Sequence, residues 1–360
     1  MQPPTSPPLR IDGLETPVPL VDLDIVRRNI RRLQDYCDAH HIDLRPHIKT
    51  HKLPLLAHEQ LRAGAIGITV QKLGEAEVMA QTGISDILLT YNVLGKEKAE
   101  RLAKLTNFAQ ITVAVDNDKS LDSVAWGAKF AQGPIGVLVE FESGANRQGV
   151  QNPEQALQLA RLAIKQPNLE FKGLMTFPTT PHTARFLDEA LPLFRNAGIS
   201  VSVISGGGTQ SAYVTHQLAP VTEMRAGTYI YNDRTMIAAN AAAEEDCALV
   251  ILATVVSRPS TNRAVIDSGS KTLSSDRLPS GQADGYGLLP DYPEATIALL
   301  SEEHGILDIS RSVRKPEIGE RLRIIPNHVC VVTNLHDHVY LHRSGEVIAR
   351  LPVYLRGKTV

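Results

Sequence analysis

The chain has 360 residues, 43% of them apolar and 21% charged, with a formal net charge of -2. That is room for two domains of ordinary soluble composition, and the near-neutral balance carries no electrostatic footprint for nucleic acid or a membrane surface. Cys37, Cys247 and Cys330 make no close pair, so no disulfide framework is expected and a reducing, cytoplasmic compartment is. The arm at 1–14, opening Met-Gln-Pro-Pro-Thr-Ser-Pro-Pro, lacks the apolar core of a signal peptide, and no run reaches membrane-spanning length.

Val18–Leu23 reads as a short apolar strand, with Asp24 as the N-cap of an amphipathic helix over Ile25–Ala39. The alternation then repeats. Strand-like Leu44–Lys49 precedes a helix over Leu53–Ala63, Gly67–Gln71 precedes Leu73–Gln81, and Asp86–Tyr91 precedes Lys96–Leu105. Ile111–Val115 leads to Ser120–Ala131, Gly136–Phe141 to Pro153–Ile164, and Phe171–Phe177 to Ala184–Asn196, and an eighth strand, Val201–Ser205, runs into a glycine loop. Eight strands alternating with helices predict a (β/α)8 TIM barrel over 15–240. A doubly wound open sheet would show the same alternation, but no Gly-x-Gly-x-x-Gly follows the first strand. From Leu249 onward short β-type runs are separated by Gly, Pro, Ser and Asp, which predicts an all-β domain over 241–360, bounded by the Ala-rich link Ala238–Ala243.

Within Leu44-Arg-Pro-His-Ile-Lys-Thr-His-Lys52, the period of two along a strand sends Arg45, His47 and Lys49 to one face. Three basic groups on a buried face call for an anion, and a phosphorylated cofactor would serve. Crowded positive charge also favours the uncharged amine that a Schiff-base lysine needs. A surface strand end with solvated charges has the same sequence. In a barrel the working residues lie at the C-terminal strand ends, which makes Lys49 and His47 catalytic candidates and places Gln71 and Arg147 among the polar strand-end residues that could line the same pocket, although a polar residue there also reads as turn chemistry. Ser205, Gly206, Gly207, Gly208 and Thr209 follow the eighth strand, where backbone N–H groups can converge on a phosphate. Tyr229, in Arg225-Ala-Gly-Thr-Tyr229, offers a hydroxyl to the same pocket. His328 and Cys330 in Ile325-Pro-Asn-His-Val-Cys330, read as a strand, point to one face and pair an imidazole with a thiolate. That combination suits zinc but fills half a tetrahedron, and the bare spacing is also common in purely structural settings.

These residues resemble a family of pyridoxal-phosphate enzymes that includes D-threonine aldolase, D-serine dehydratase and D-threo-3-hydroxyaspartate dehydratase, relatives of alanine racemase. The resemblance runs from Thr16-Pro17 to the C-terminal strands. It is carried by Arg45–Lys52, Val70–Ala76, Arg225–Tyr229, Glu302-Glu-His-Gly305 and Pro326–Cys330. It implies the alanine racemase-like fold, with Lys49 joined covalently to pyridoxal phosphate, the 206–209 loop on its phosphate, Arg147 on its ring, and His328 and Cys330 on a divalent metal, zinc or manganese. It implies a homodimer with the active site at the subunit interface. It also implies a lyase of D-3-hydroxy amino acids: Cys330 stands where the dehydratases carry cysteine and the aldolases a carboxylate, which favours β-elimination to a keto acid and ammonia. Retro-aldol cleavage to glycine and an aldehyde is the alternative. Phe177-Pro178 stands where many relatives have a Tyr-His pair. Racemisation would need a second base, for which Tyr286 and Tyr292 are available, and a non-catalytic cofactor-binding barrel would leave the long β-domain without a purpose.

Overall fold

A computed structural model describes residues 9–279 and 284–360, so residues 1–8 of the arm lie outside the described residues. The chain divides into two compact units. A mixed-sheet unit comprises Met1–Asn29, Thr50–Lys52 and Thr228–Arg356; a parallel-sheet unit comprises Ile30–Lys49, Leu53–Gly227 and Gly357–Val360. The fold is thus α/β, a mostly parallel sheet followed by a separate mixed β-sheet. Among the described residues no helix is long and apolar enough to cross a membrane.

The first strand, β1 (Val18–Asp22), belongs to the mixed sheet and not to the parallel one. This corrects the reading of Val18–Leu23 as the first barrel strand. The parallel sheet is built from β2 (Asp43–Leu44), β3 (Ile68–Val70), β4 (Asp86–Leu89), β5 (Gln110–Val115), β6 (Ile135–Glu140), β7 (Leu169–Met175), β8 (Val203–Gly206) and β9 (Glu223–Met224). Its order is β2-β9-β8-β7-β6-β5-β4-β3. The place given to Val18–Leu23 is taken by β9, which pairs in parallel with both β2 and β8. Beyond β2, a parallel bridge joins His47 to Thr69, whose N–H donates to the Pro46 carbonyl at 2.8 Å.

Helices follow these strands nearly as the periodicity predicts: α1 (Leu23–Ala39), α2 (Pro54–Arg62), α3 (Leu73–Gln81), α4 (Lys96–Leu105), α5 (Asp118–Ala128), α6 (Pro153–Ile164) and α7 (Pro181–Asn196). The cap of α1 is Asp22 rather than Asp24, since the Asp22 carboxylate accepts the N–H groups of Asp24 and Ile25. Every residue of β6 is buried, as a strand covered on both faces must be. Leu88, Ala114, Leu138 and Met175, from four adjacent strands, form one core cluster.

The mixed sheet is completed by β10 (Leu249–Ser260), β11 (Arg263–Ile266), β12 (Thr296–Leu300), β13 (Gly305–Asp308), β14 (Arg321–Ile324), β15 (His338–Arg343) and β16 (Glu346–Pro352). In it β1 lies between β10, antiparallel, and β15, parallel. The region is not all-β. Val329–Leu335 is helical and includes Cys330, while His328 is its N-cap residue. The strand reading of Ile325–Cys330 is therefore wrong beyond Ile325.

Candidate active site

The predicted residues of the parallel-sheet unit lie at or beyond the C-terminal ends of its strands, Ser205 and Gly206 being the last two residues of β8. Lys49 is not on a strand: the chain leaves β2, bridges at His47, and turns through a short 3-10 segment, Ile48–Thr50. The alternation that grouped Arg45, His47 and Lys49 stops at that turn. The anion that Arg45 requires is supplied by the chain itself, with Nε 2.6 Å from Glu223 Oε2 and Nη1 2.5 Å from Asp86 Oδ1. His47 Nδ1 accepts from the Lys49 backbone N–H at 3.4 Å. Its Nε2 lies 3.2 Å from Gln71 Oε1, while the Gln71 amide donates to the Thr90 carbonyl at 3.0 Å. His47 and Gln71 thus brace the turn that carries Lys49.

Phe177 gathers the rest. The Lys49 ammonium lies 5.9 Å and the Arg147 guanidinium 5.1 Å from its ring centroid. A Cβ on Gly208 would come within 3.3 Å of the same ring. The loop after β8 is cut for close approach: Gly207 has φ +91° and Gly208 φ +157°, and a Cβ on Gly207 would meet Met224 Cγ at 2.7 Å. The chain then enters a 3-10 segment, Thr209–Val214. A lysine, an arginine and a glycine cradle around one aromatic ring fit an anionic aromatic aldehyde such as pyridoxal phosphate. Lys52 is occupied elsewhere, its Nζ donating to Asn334 Oδ1 at 2.7 Å within the mixed-sheet unit.

Several contributors were not singled out in the sequence. Arg225 is buried, donating from Nε to Ser205 Oγ at 2.8 Å and from Nη2 to the Thr176 carbonyl. Ser205 Oγ in turn donates to Glu223 Oε1 at 2.6 Å, so its side chain serves this network. Glu140, at the end of β6, accepts from Gln148 at 2.6 Å and lies 3.5 Å from Arg147. Burial pushes its carboxyl up, against the opposing pull of Gln148, Arg225 and Arg147. Glu142 shapes the loop that carries Arg147 by accepting the N–H groups of Gly144, Ala145 and Asn146. Burial opposes them, yet these donors hold its carboxyl below the usual range. No sequence signal marks Glu140 and Glu142, because a carboxylate at a strand end ordinarily reads as turn chemistry; Arg225 stands in the Arg225–Tyr229 motif, but the motif does not tell its own role there. A cavity of about 760 Å3 lies at the opposite, N-terminal ends of the strands, lined by Asp86, Gln110, Gly136 and Val203 among others, and none of the candidate site residues borders it.

Tyr229, His328 and Cys330 belong to the mixed-sheet unit. Tyr229 is buried in a 3-10 segment, Thr228–Ile230. His328 Nδ1 is 3.0 Å from Asp233 Oδ2, and the ring also hydrogen-bonds Cys330. Burial alone would lower the His328 pKa, but these two partners hold it up to about 11. Thr50 Oγ1 lies 3.2 Å from Cys330 Sγ. The imidazole–thiol pair fits a borderline-soft divalent ion with two protein ligands, and no group of three or more His, Cys, Asp or Glu suited to a metal occurs among the described residues.

Residues 21–235 match the alanine racemase N-terminal domain family and residues 248–342 the putative serine dehydratase domain family. The chain is 32% identical over 373 residues to D-threonine aldolase of Arthrobacter sp., covering 99% of this chain and 97% of that one. It is 32% identical over 346 residues to D-threo-3-hydroxyaspartate dehydratase of Delftia sp. strain HT23, covering 88% and 91%. The D-threonine aldolase structure from Filomicrobium marinum superposes with a TM-score of 0.88 at 30% identity, over 99% of this chain and all of that one. The chain belongs to the alanine racemase-like family of pyridoxal-phosphate enzymes that contains D-threonine aldolase and D-threo-3-hydroxyaspartate dehydratase.

Proposed function

We propose that this pyridoxal-phosphate-dependent lyase of D-amino acids cleaves D-3-hydroxy amino acids by a retro-aldol reaction, giving glycine and an aldehyde. The observation that carries the chemistry is the grouping of Lys49, Arg147 and the Gly207-Gly208 cradle about Phe177. The likeness to D-threonine aldolase over 99% of the chain supports this outcome over the elimination favoured by the sequence alone. Pyridoxal phosphate, when bound, accepts the electron pair released at the substrate α-carbon. The cofactor's phosphate would rest on Gly206, Gly207, Gly208 and Thr209, with Arg147 and Gln71 beside the ring and Lys49 as the covalent anchor. His328 and Cys330 would hold zinc or manganese, which supplies Lewis acidity for a β-hydroxyl. In the cleavage the β-hydroxyl loses its proton, the carbon–oxygen bond becomes a carbonyl as the α–β bond breaks, and a proton delivered at the α-carbon completes glycine. Lys49, once free of the cofactor, is the amine in the parallel-sheet unit suited to move that proton, with His47 bracing its turn.

A second reading, β-elimination, is favoured by Cys330, because a solved form of D-threo-3-hydroxyaspartate dehydratase is a cysteine-to-alanine variant in the metal-free form. Another form of that enzyme carries a histidine-to-alanine change two positions before the cysteine, the spacing of His328 and Cys330. Racemisation gains no support from the two tyrosines: Tyr292 donates to Glu320 at 2.6 Å, with burial and that carboxylate pushing its phenol up, and Tyr286 accepts from Arg277. We also infer that the bridge at His47–Thr69 closes the parallel sheet into an eight-stranded barrel, and that the protein is a homodimer whose interface completes the site.

The test incubates purified protein and pyridoxal phosphate with D-threonine, D-threo-3-hydroxyaspartate or D-serine, with and without zinc or manganese. Glycine and aldehyde formed in equal amounts is the expected result. Keto acid and ammonia in their place would establish elimination, and metal-independent interconversion of D- and L-alanine would overturn both.

A further inference from the structure

The side chain of Asp233 is wholly buried in the mixed-sheet unit, while that of His328 is 35% exposed. Three groups fix the carboxylate. The Met236 N–H donates to Oδ1 at 2.9 Å, the Val329 N–H donates to Oδ2 at 3.1 Å, and His328 Nδ1 lies 3.0 Å from that same Oδ2. A carboxylate only accepts, so the proton in the last contact is carried by Nδ1. The other ring nitrogen, Nε2, is then the one that can serve as a ligand atom. The backbone reinforces the arrangement: His328 is the N-cap residue of Val329–Leu335, and Val329, its first helical residue, supplies the N–H that shares Oδ2. Asp233 in turn is the N-cap residue of Arg234–Ala238. Two helix starts and one imidazole are therefore registered on one buried carboxylate.

We infer that Asp233 is a positioning residue for the divalent metal: its carboxylate holds the His328 proton on Nδ1 and presents Nε2 as the ligand atom beside Cys330. This rests on the reading of His328 and Cys330 as metal ligands. A buried acceptor behind a ligating histidine fixes both its tautomer and its ring angle, and loss of such an acceptor weakens metal binding by about 10–100-fold. Because Asp233 also caps a helix through Met236, orienting and structural roles have to be separated.

The separation uses Asp233→Asn and Asp233→Ala in the full chain loaded with its cofactor. Two donors, His328 Nδ1–H and Val329 N–H, converge on Oδ2 and one on Oδ1. The asparagine carbonyl oxygen turns toward the pair, keeping the His328 contact while giving up the Met236 cap. Alanine gives up both. Zinc affinity is measured by competition with a chelating dye, and the His328 Nδ1–H is followed by 15N–1H spectra of histidine-labelled protein. The expected result is a slowly exchanging Nδ1–H in wild type and in D233N, with zinc affinity in D233N within about tenfold of wild type. D233A should lose that signal and bind zinc about 10–100-fold more weakly. Equal affinity losses in the two variants would assign Asp233 a purely structural role and overturn the inference. So would zinc bound equally by wild type and D233A, or a wild-type proton found on Nε2 in the zinc-loaded protein. A wild-type chain that takes no zinc would overturn the metal reading itself, and this inference with it.

Discussion

Removing Arg45 should unfold the parallel-sheet unit more than any surface charge deletion, and the cost follows from its partners. Its guanidinium lies against Glu223 at 2.6 Å and Asp86 at 2.5 Å, with side-chain exposures of 6% and 31% respectively. In Arg45→Met the Asp86 carboxylate, already partly exposed, can rehydrate. Glu223 borders the same cavity as Asp86 at the N-terminal strand ends, but its side chain is almost wholly buried, so it regains little water and keeps the Ser205 hydroxyl. Stranding one member of a buried pair in this way costs about 3–5 kcal/mol. For a unit of this size that is a fall in Tm of roughly 6–20 °C. Thermal and urea unfolding followed by far-UV circular dichroism reads it directly. The double variant R45M/E223Q removes the stranded charge while leaving an amide for Ser205, and should recover all but about 1.5 kcal/mol of the loss. If R45M lies within about 1 kcal/mol of wild type, or if the double variant is as unstable as R45M, the buried pair is not what secures β2 to β9.

Lys49→Ala should abolish both turnover and the absorbance of the lysine-linked cofactor, and borohydride reduction followed by peptide mapping should tag Lys49; a tag on Lys52 or Lys72 would refute the assignment. Gly207→Ala places a side chain at φ +91° with its Cβ 2.7 Å from Met224 Cγ, so cofactor affinity, measured by equilibrium dialysis, should fall about tenfold or more, the equivalent of the roughly 1–2 kcal/mol that a left-handed residue costs. Wild-type affinity in that variant would separate the loop from the phosphate. The folded-state pKa of Glu140 is raised by burial, so its contribution to stability is full below the unfolded carboxyl value and is lost as pH rises through the folded one. Urea unfolding of wild type and Glu140→Gln should therefore show wild type gaining on the variant as pH falls from 7 toward 4.5, and a difference that moves the other way would mean that the Arg147 contact outweighs burial.

What the sequence reveals of the fold is what local pattern can encode. Buried parallel strands are apolar on both faces, so β3 through β8 stand out as short apolar runs, and the helices between them show their own periodicity. Val18–Asp22 is apolar for an equally good reason, but an apolar run carries no record of its partner. Its neighbours β10 and β15 lie more than two hundred residues away in the chain. β9 is missed for the opposite reason, since two residues beginning with a glutamate show no period at all. Val329-Cys-Val-Val-Thr-Asn-Leu335 is rich in β-branched residues and reads as strand by propensity; it is helical because Asp233 and the residues packed around it decide otherwise.

The same division runs through the site. Residue types with chemistry of their own, such as Lys49, Arg147, His328, Cys330 and the glycine run, are visible because few structural roles demand them together. The residues that aim them are not. Arg45 looked like part of a basic cluster awaiting an external anion, and its charge is answered by Glu223, 178 residues further along the chain. Phe177 looked like an absence, the place of a missing Tyr-His pair, yet its ring is the surface over which Lys49 and Arg147 converge. An aromatic ring there offers a face to two cations and a wall to Gly208, but no proton to give or take. On the proposed reaction the proton at the α-carbon would then fall to Lys49 and its braced turn, which is why the identity of the tagged lysine tests the site more severely than the loss of activity does.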